Sequence, residues 1–495
     1  MDNLVAPQLE DDLEIANGRK GCRSCAKRHE RCPGYRDPNE SIFCDQTAHT
    51  ILRSKKTNLV IDQAAFGRSM SDDAALSCFF ELCARPAPSS SRTMVAYESL
   101  KNKPLVASMR ALGLAVRSRM DDSMDLADRA SSHYLSAIQA TSKAIASPIL
   151  ARADETLLSV IILTFYEARC GRDRDSVECW NQHANGCAAL IEARGGAQLK
   201  REDGRLLFLE TTAVIIPNAC RLSLPVPQIM LEMMEKICDP SMQQSEPQWI
   251  IIYGWMRTTN LRSAVAKGDA GDAAAIVKQA VAIDESISHA FDKARFEWTY
   301  DTLPATAEDF DGRDAAPAFT HWHRNALAAE MWESLFSCRL LLHAIICKAL
   351  TTDSISQAWL APELHEQATR SRNLISSLCD DILASVPQFC CSVSTPPPKI
   401  PQQPHDLDLV ATRPGRPPLP EDDICTFVPL RSDRLPVLVT SQGYSMIWAL
   451  NLVAVLAPDG RGYRGLACRM LDKLGKATGI KQAGVVADKY RTEGM

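Results

Sequence analysis

The sequence predicts an all-α protein: one large helical domain preceded by a small cysteine-bearing segment. Two observations carry the class. Apolar residues make up 46% of the 495 residues and aromatics only 6%, a balance that suits Ala- and Leu-rich helices better than a β-sandwich. From about residue 70 to 390 the apolar positions recur at the helical period, and no period-2 runs bounded by hairpin turns stand out. A chain of this length can bury a sizeable core. No repeat of roughly 20–50 residues is found.

The helical signals follow in order along the chain. ADRASSHYLSAIQATSKAIA, residues 127–146, is rich in strong helix formers and has no Pro or Gly. Asp154 is placed to cap a helix over 155–169, with acid early and Arg169 late, as the helix dipole prefers. Trp180, His183, Ala184, Cys187, Leu190 and Ile191 fall on one helical face, which Gly195-Gly196 ends. Trp322 to Leu350 reads as another long periodic helix. Residues 392–422 hold nine prolines and cannot be helical. They read as a disordered loop inside the helical domain. The expected organisation is an acidic tail (1–18), a cysteine-bearing segment (19–47), a linker (48–69), and a helical domain over 70–391 and 423–490 interrupted by 392–422.

Charge is distributed unevenly. Between Gly18 and Arg36, seven basic residues stand against the single acid Glu30, in a chain whose net charge is −5. A short basic module on an acidic protein suggests contact with nucleic acid; a solvated basic linker is the plainer reading of a charge run alone. MDNLVAPQLEDDLEIANG, at the N-terminus, is acidic where a secretory signal would be basic and then apolar. The most apolar run, LLSVIILTFY at 157–166, contains Ser159 and Thr164 and falls short of the ~18 residues of a membrane span. The expectation is a soluble intracellular protein with no membrane partner, whose 18 cysteines are mostly thiols. Cys187, Cys338 and Cys347 sit in apolar periodic stretches and read as small hydrophobes.

Cys22, Cys25 and Cys32 read C-x2-C-x6-C. The first pair is spaced so that two thiolates can converge on one ion, and the nearby Arg and Lys help keep them deprotonated. A structural Zn2+ site closes with four ligands. Cys44 and His29 are the candidates for the fourth.

These residues carry a resemblance. C-R-S-C-A-K-R-H-E-R-C-P-G-Y-R-D (22–37), followed by S-I-F-C-D-Q-T (41–47), resembles the second half of the fungal six-cysteine binuclear zinc cluster. In that family six thiolates bind two zinc ions. No cysteine precedes Cys22, so the resemblance covers one half of the cluster. It implies Zn2+ held by Cys22, Cys25, Cys32 and Cys44, and phosphate contacts from Arg23, Lys27, Arg28 and Arg31. The half whose helix enters the major groove and reads bases is the one not seen.

Further along, D-E-T-L-L-S-V-I-I-L-T-F-Y-E (154–167), W-N-Q-H-A-N-G-C-A-A-L-I-E-A-R-G (180–195) and R-L-L-F-L (205–209) are similar to the core of the all-helical regulatory domain of many fungal zinc-cluster transcription factors. H-W-H-R-N-A-L-A-A-E-M-W (321–332) and C-R-M-L-D-K-L-G-K-A-T-G-I-K-Q-A (468–483) resemble its later helices. The resemblance implies a nuclear regulator of transcription acting on DNA, and pairing as a homodimer or as a heterodimer with other zinc-cluster regulators. Its targets would be a metabolic gene set, a secondary-metabolite cluster being a frequent case. The half-cluster supports a reading of another class: a helical interaction protein without sequence-specific DNA binding, acting through a complete partner.

Other constellations read as structure. Arg413-Pro-Gly-Arg-Pro-Pro resembles an AT-hook core, a string that a proline linker produces easily. His321-Trp322-His323 is expected on a helix, where neighbouring residues face different ways. His183 and Cys187 lie on the apolar stripe and read as core. Nothing supports a redox role for Cys390-Cys391. No P-loop, dinucleotide fingerprint, nucleophile elbow or H-E-x-x-H motif is found, so the expectation is not an enzyme.

Overall fold

The computed structural model describes residues 72–85, 102–170, 174–237, 247–292, 294, 298–306, 308–310, 316–324, 326–351, 362–390, 437–438, 443–458 and 461–492. Fourteen α-helices are present among them, so the fold class is all-α as expected. In chain order these are α1 (Asp72–Leu82), α2 (Lys103–Met120), α3 (Met124–Ile145), α4 (Asp154–Cys170), α5 (Arg174–Arg194), α6 (Glu202–Arg221) and α7 (Gln228–Ile237). There follow α8 (Pro247–Lys267), α9 (Ala273–Ser288), α10 (Ala326–Thr351), α11 (Pro362–Cys390), α12 (Tyr444–Leu456), α13 (Tyr463–Thr478) and α14 (Lys481–Thr492). Two short antiparallel strand pairs accompany them: β1 (Ala84–Arg85) with β4 (Val437–Leu438), and β2 (Tyr300–Pro304) with β3 (Phe319–His323).

The helix starts are chemically specified. Asn102 accepts a hydrogen bond from the Leu105 N–H, and Pro104 stands in the first turn of α2. Ser123 does the same for Leu126 at the start of α3, and Asp272 for Ala275 at the start of α9. Gly195 ends α5 with φ 64°, a left-handed conformation open to glycine and strained for other residues. This is where the sequence places the stop.

α4 is a central helix of the first half. It packs against α2, α3, α5, α6 and α14. Of its residues only Glu155 and Cys170 are not fully buried, as expected of a helix apolar on all sides. Its polar side chains are satisfied locally: Thr164 donates to the Val160 carbonyl and Ser159 to the Glu155 carbonyl. α1 crosses α2 at Gly113. A Cβ there would lie 2.6 Å from the Phe79 backbone nitrogen, so only glycine permits this approach. Tyr444 of α12 packs edge-on against both Phe165 of α4 and Trp180 of α5. Arg169 of α4 donates to the Thr478 carbonyl at the end of α13. The C-terminal helices therefore close over the first half.

α10 holds the corresponding place in the second half, packed against α8, α9, α11 and α12. Trp255 of α8 donates its indole N–H to Ser334 of α10, and Tyr463 of α13 donates to Asp380 of α11 at 2.8 Å. Leu327–Thr351 is long and apolar enough to cross a membrane by length and composition, and 61% of its most apolar stretch is buried inside the protein. It thus exceeds residues 157–166 in apolar length.

The β2–β3 hairpin corrects a further expectation from the sequence. His321, Trp322 and His323 lie on a strand, and the helix begins at Ala326. Phe319–His323 is aromatic and β-branched, which fits a pleated, half-buried surface. Tyr300 pairs with His323 and Pro304 with Phe319. The hairpin packs on α11, where the Gln388 amide donates to the His323 carbonyl and accepts from its N–H, both at 2.8 Å.

Candidate functional site

The residues that the sequence singles out for metal and DNA all lie outside the described residues. These are Cys22, Cys25, Cys32, Cys44 and His29, with Arg23, Lys27, Arg28 and Arg31. The linker at 48–69, the proline block at 392–422 and Arg413 lie outside them too. Among the described residues no group of three or more His, Cys, Asp or Glu could hold a metal ion. The Zn2+ expectation therefore rests on the cysteine segment alone.

Within the helical domain, polar side chains are concentrated around α4 and α5. Asp154 is the first residue of α4; the cap position is Ala153, whose carbonyl accepts from the Leu157 N–H. This corrects the assignment of Asp154 as the cap. Its carboxylate instead faces two arginines. Arg194, at the end of α5, donates at 2.5 Å, and Arg201 donates through both terminal nitrogens at 2.7 Å. Arg194 also donates to the Arg152 carbonyl and to Gln198. One node thus ties the start of α4 to the end of α5 and the start of α6. Burial pushes the Asp154 carboxyl up, but the Arg201 and Arg194 hydrogen bonds outweigh it and hold the group below its ordinary range.

A second node lies between α3, α4 and α5. The Tyr134 hydroxyl donates to Glu167 at 2.5 Å and sits 3.2 Å from His183 Nε2. With its proton given to Glu167, the tyrosine oxygen accepts from His183, which assigns the neutral Nε2–H tautomer. Burial pulls His183 down to about 4. Burial, reinforced by Glu167, raises Tyr134 well above its ordinary value. The Tyr134 and Tyr166 rings stack at 4.3 Å. His183 and Cys187 are thus structural, as the apolar stripe implies, but His183 is hydrogen-bonded and not merely packed.

His321 and His323 share one face of β3, because alternate strand residues point the same way. Their rings pack on Tyr300 at 4.4 and 5.0 Å. His321 meets Thr302 and Asp381, and His323 Nδ1 donates to Gln388. Both imidazoles are engaged by these partners, with His323 Nε2 alone left without a hydrogen bond; the helical geometry expected from the sequence does not apply to them. Burial pulls His323 down to about 3.

Glu333 is 1% exposed on α10, and the Ser337 hydroxyl donates to it at 2.9 Å. Burial pushes it up to about 8. The folded protein therefore holds a proton that the unfolded chain releases near pH 4.5. Its stabilising effect is complete below that pH and is lost as pH rises through about 8. Glu333→Gln, a neutral isostere, is expected to abolish this alkaline loss, which reaches up to ~4 kcal/mol by linkage. Urea unfolding at pH 5 and pH 8.5 measures it: the variant gains on wild type only at the higher pH.

Each of these buried groups is matched to a partner, most of them on another helix, as polar links between packed helices require. None, among the described residues, assembles a nucleophile, a base and an oxyanion site. Cys78, Cys83, Cys187, Cys220, Cys338, Cys379 and Cys468 are buried thiols, and Cys347 is half-buried. Burial raises Cys83 to about 12, which leaves it inert at neutral pH.

Residues 77–256 match the model of the fungal specific transcription factor domain. The match runs from α1 into α8 and contains both polar nodes around α4 and α5. The chain thus carries a fungal-specific transcription-factor regulatory domain over these residues. No curated protein and no solved structure matches the chain.

Proposed function

We propose that the chain is a fungal regulator of transcription in which residues 19–47 bind Zn2+ and DNA. The helical domain, over 70–391 and 423–490, supplies regulation and the contacts for pairing. The observation that carries this reading is the match of residues 77–256 to the transcription factor domain, on helices packed as one core. The basic cysteine segment supports it: its charge is opposite to that of the chain as a whole. A nuclear location and a metabolic gene set, such as a secondary-metabolite cluster, follow as part of the same proposal.

The second reading is favoured by the cysteine count. Residues 1–60 contain four cysteines, fewer than a two-metal cluster uses. On this reading the helical domain pairs with a complete zinc-cluster relative, and the partner selects the DNA.

Both readings expect at most one zinc ion bound by the chain as given, through Cys22, Cys25 and Cys32, with Cys44 or His29 as a weak fourth ligand. Both expect DNA affinity that falls steeply with salt and varies little with sequence, since Arg23, Lys27, Arg28 and Arg31 contact phosphates. Elemental analysis and a salt series on random against selected duplexes test this. Two zinc ions per chain, or a large sequence preference at physiological salt, would overturn the assignment of the segment as a half-cluster. A sequence preference that appears only on adding a complete relative decides for the second reading.

A further inference from the structure

Outside the matched residues, α9, α10 and α11 line a half-open cleft of 390 Å3. This falls in the usual size range of small-ligand sites, about 300–1,000 Å3. Its walls are polar and apolar in equal measure and carry both signs of charge. Asp284 of α9 is paired with Arg339 of α10 by two hydrogen bonds, at 2.7 and 3.1 Å, so these two charges cancel in the wall. Two other charges lining the cavity are not used. The side chains of Glu285 on α9 and Arg370 on α11 form no hydrogen bond or ion pair with each other or with any described residue. Asn373, also on α11, adds a free amide.

An independent observation comes from His343 of α10, which lines the cavity and is 3% exposed. Its Nδ1 meets the Ser371 hydroxyl at 3.0 Å. Its Nε2 lies 3.3 Å from the Asp284 carboxylate and makes no hydrogen bond of good geometry. A buried polar atom held by one imperfect contact is only partly satisfied, and a better-placed partner lowers its free energy.

We propose that this cavity binds a small zwitterion carrying a carboxylate and a protonated amine, of amino-acid size. The Arg370 guanidinium takes the carboxylate, for which its fork of donors is suited. Glu285, on the facing helix, takes the ammonium. His343 Nε2 and the Asn373 amide supply hydrogen bonds between them. A simple dianion fits less well, because Glu285 would repel it; a simple diamine would meet Arg370 in the same way. The site lies on helices outside residues 77–256, so it stands independently of the transcriptional reading.

The test is calorimetric titration of the full-length chain with each of the twenty proteinogenic amino acids. Any that binds is compared with its α-keto acid, which lacks the amine, and with its decarboxylated amine. At least one amino acid is expected to bind, and both truncated analogues to bind at least about tenfold more weakly, the equivalent of ~1.4 kcal/mol. Arg370→Gln and Glu285→Gln, both at exposed positions, are each expected to weaken binding by a similar factor with an unchanged circular dichroism spectrum. Binding by none of the twenty overturns the proposal. So does equal binding of the keto acid or the amine, or binding indifferent to both substitutions.

Discussion

Asp154→Ala is expected to destabilise the helical domain by about 3–5 kcal/mol, the cost of stranding one member of a buried ion pair. The stranded group is Arg194, whose side chain is 2% exposed. Without Asp154 it retains the Arg152 carbonyl and Gln198 but has no counter-charge. Arg201→Ala makes the contrasting case. That side chain is 47% exposed, so its loss should cost about 1 kcal/mol or less. The node also has a pH signature. The folded Asp154 pKa lies below the ordinary value of 3.8, so its contribution is complete above that pH and is lost as pH falls through the folded value. Urea midpoints of the two variants at pH 7, and of wild type between pH 5 and 2, measure both effects. Equal costs for Asp154→Ala and Arg201→Ala would show that Arg194 finds another partner.

Leu190→Asp is expected to cost about 4 kcal/mol or more, a large fraction of the stability of a typical domain. Leu190 is 1% exposed on α5, beside the fully buried Ile191 and Cys187, on the face that packs against α4. The aspartate would enter with no cation placed to meet it, and either its charge or its proton must be accommodated in apolar surroundings. Leu190→Met keeps volume and polarity and should cost less than ~1.5 kcal/mol. A urea midpoint unchanged by Leu190→Asp would mean that this face is open to solvent.

Both predictions concern a region whose helices are legible in the sequence. The i, i+3, i+4 recurrence from Trp180 to Ile191 specifies the buried face of α5, and Gly195 specifies its end. Asp154 shows where such reading stops. An acid at a helix start can cap it, complement its dipole or pair with a distant cation, and the sequence looks alike in all three cases. The arginines that decide the matter arrive 40 and 47 residues later.

The β2–β3 hairpin is illegible for another reason. FTHWH runs directly toward a strongly periodic helix, and its partner YDTLP lies across an intervening segment instead of a two-residue turn. The Glu285–Arg370 cavity is drawn from three helices between Val281 and Ser377; no local motif marks it. The cysteine segment presents the opposite case. Its spacing and charge are legible in the sequence alone, and its reading rests on them and on the family resemblance.

The most direct test of the account is genome-wide chromatin occupancy of the epitope-tagged full chain in its native cells. The account predicts occupancy at discrete promoters, with the adjoining transcripts changed when the chain is deleted. The discrete sites are set by what the chain pairs with, since its own cysteine segment contacts phosphates and is expected to discriminate little between sequences. Uniform background occupancy, with no transcript responding to deletion, would contradict it.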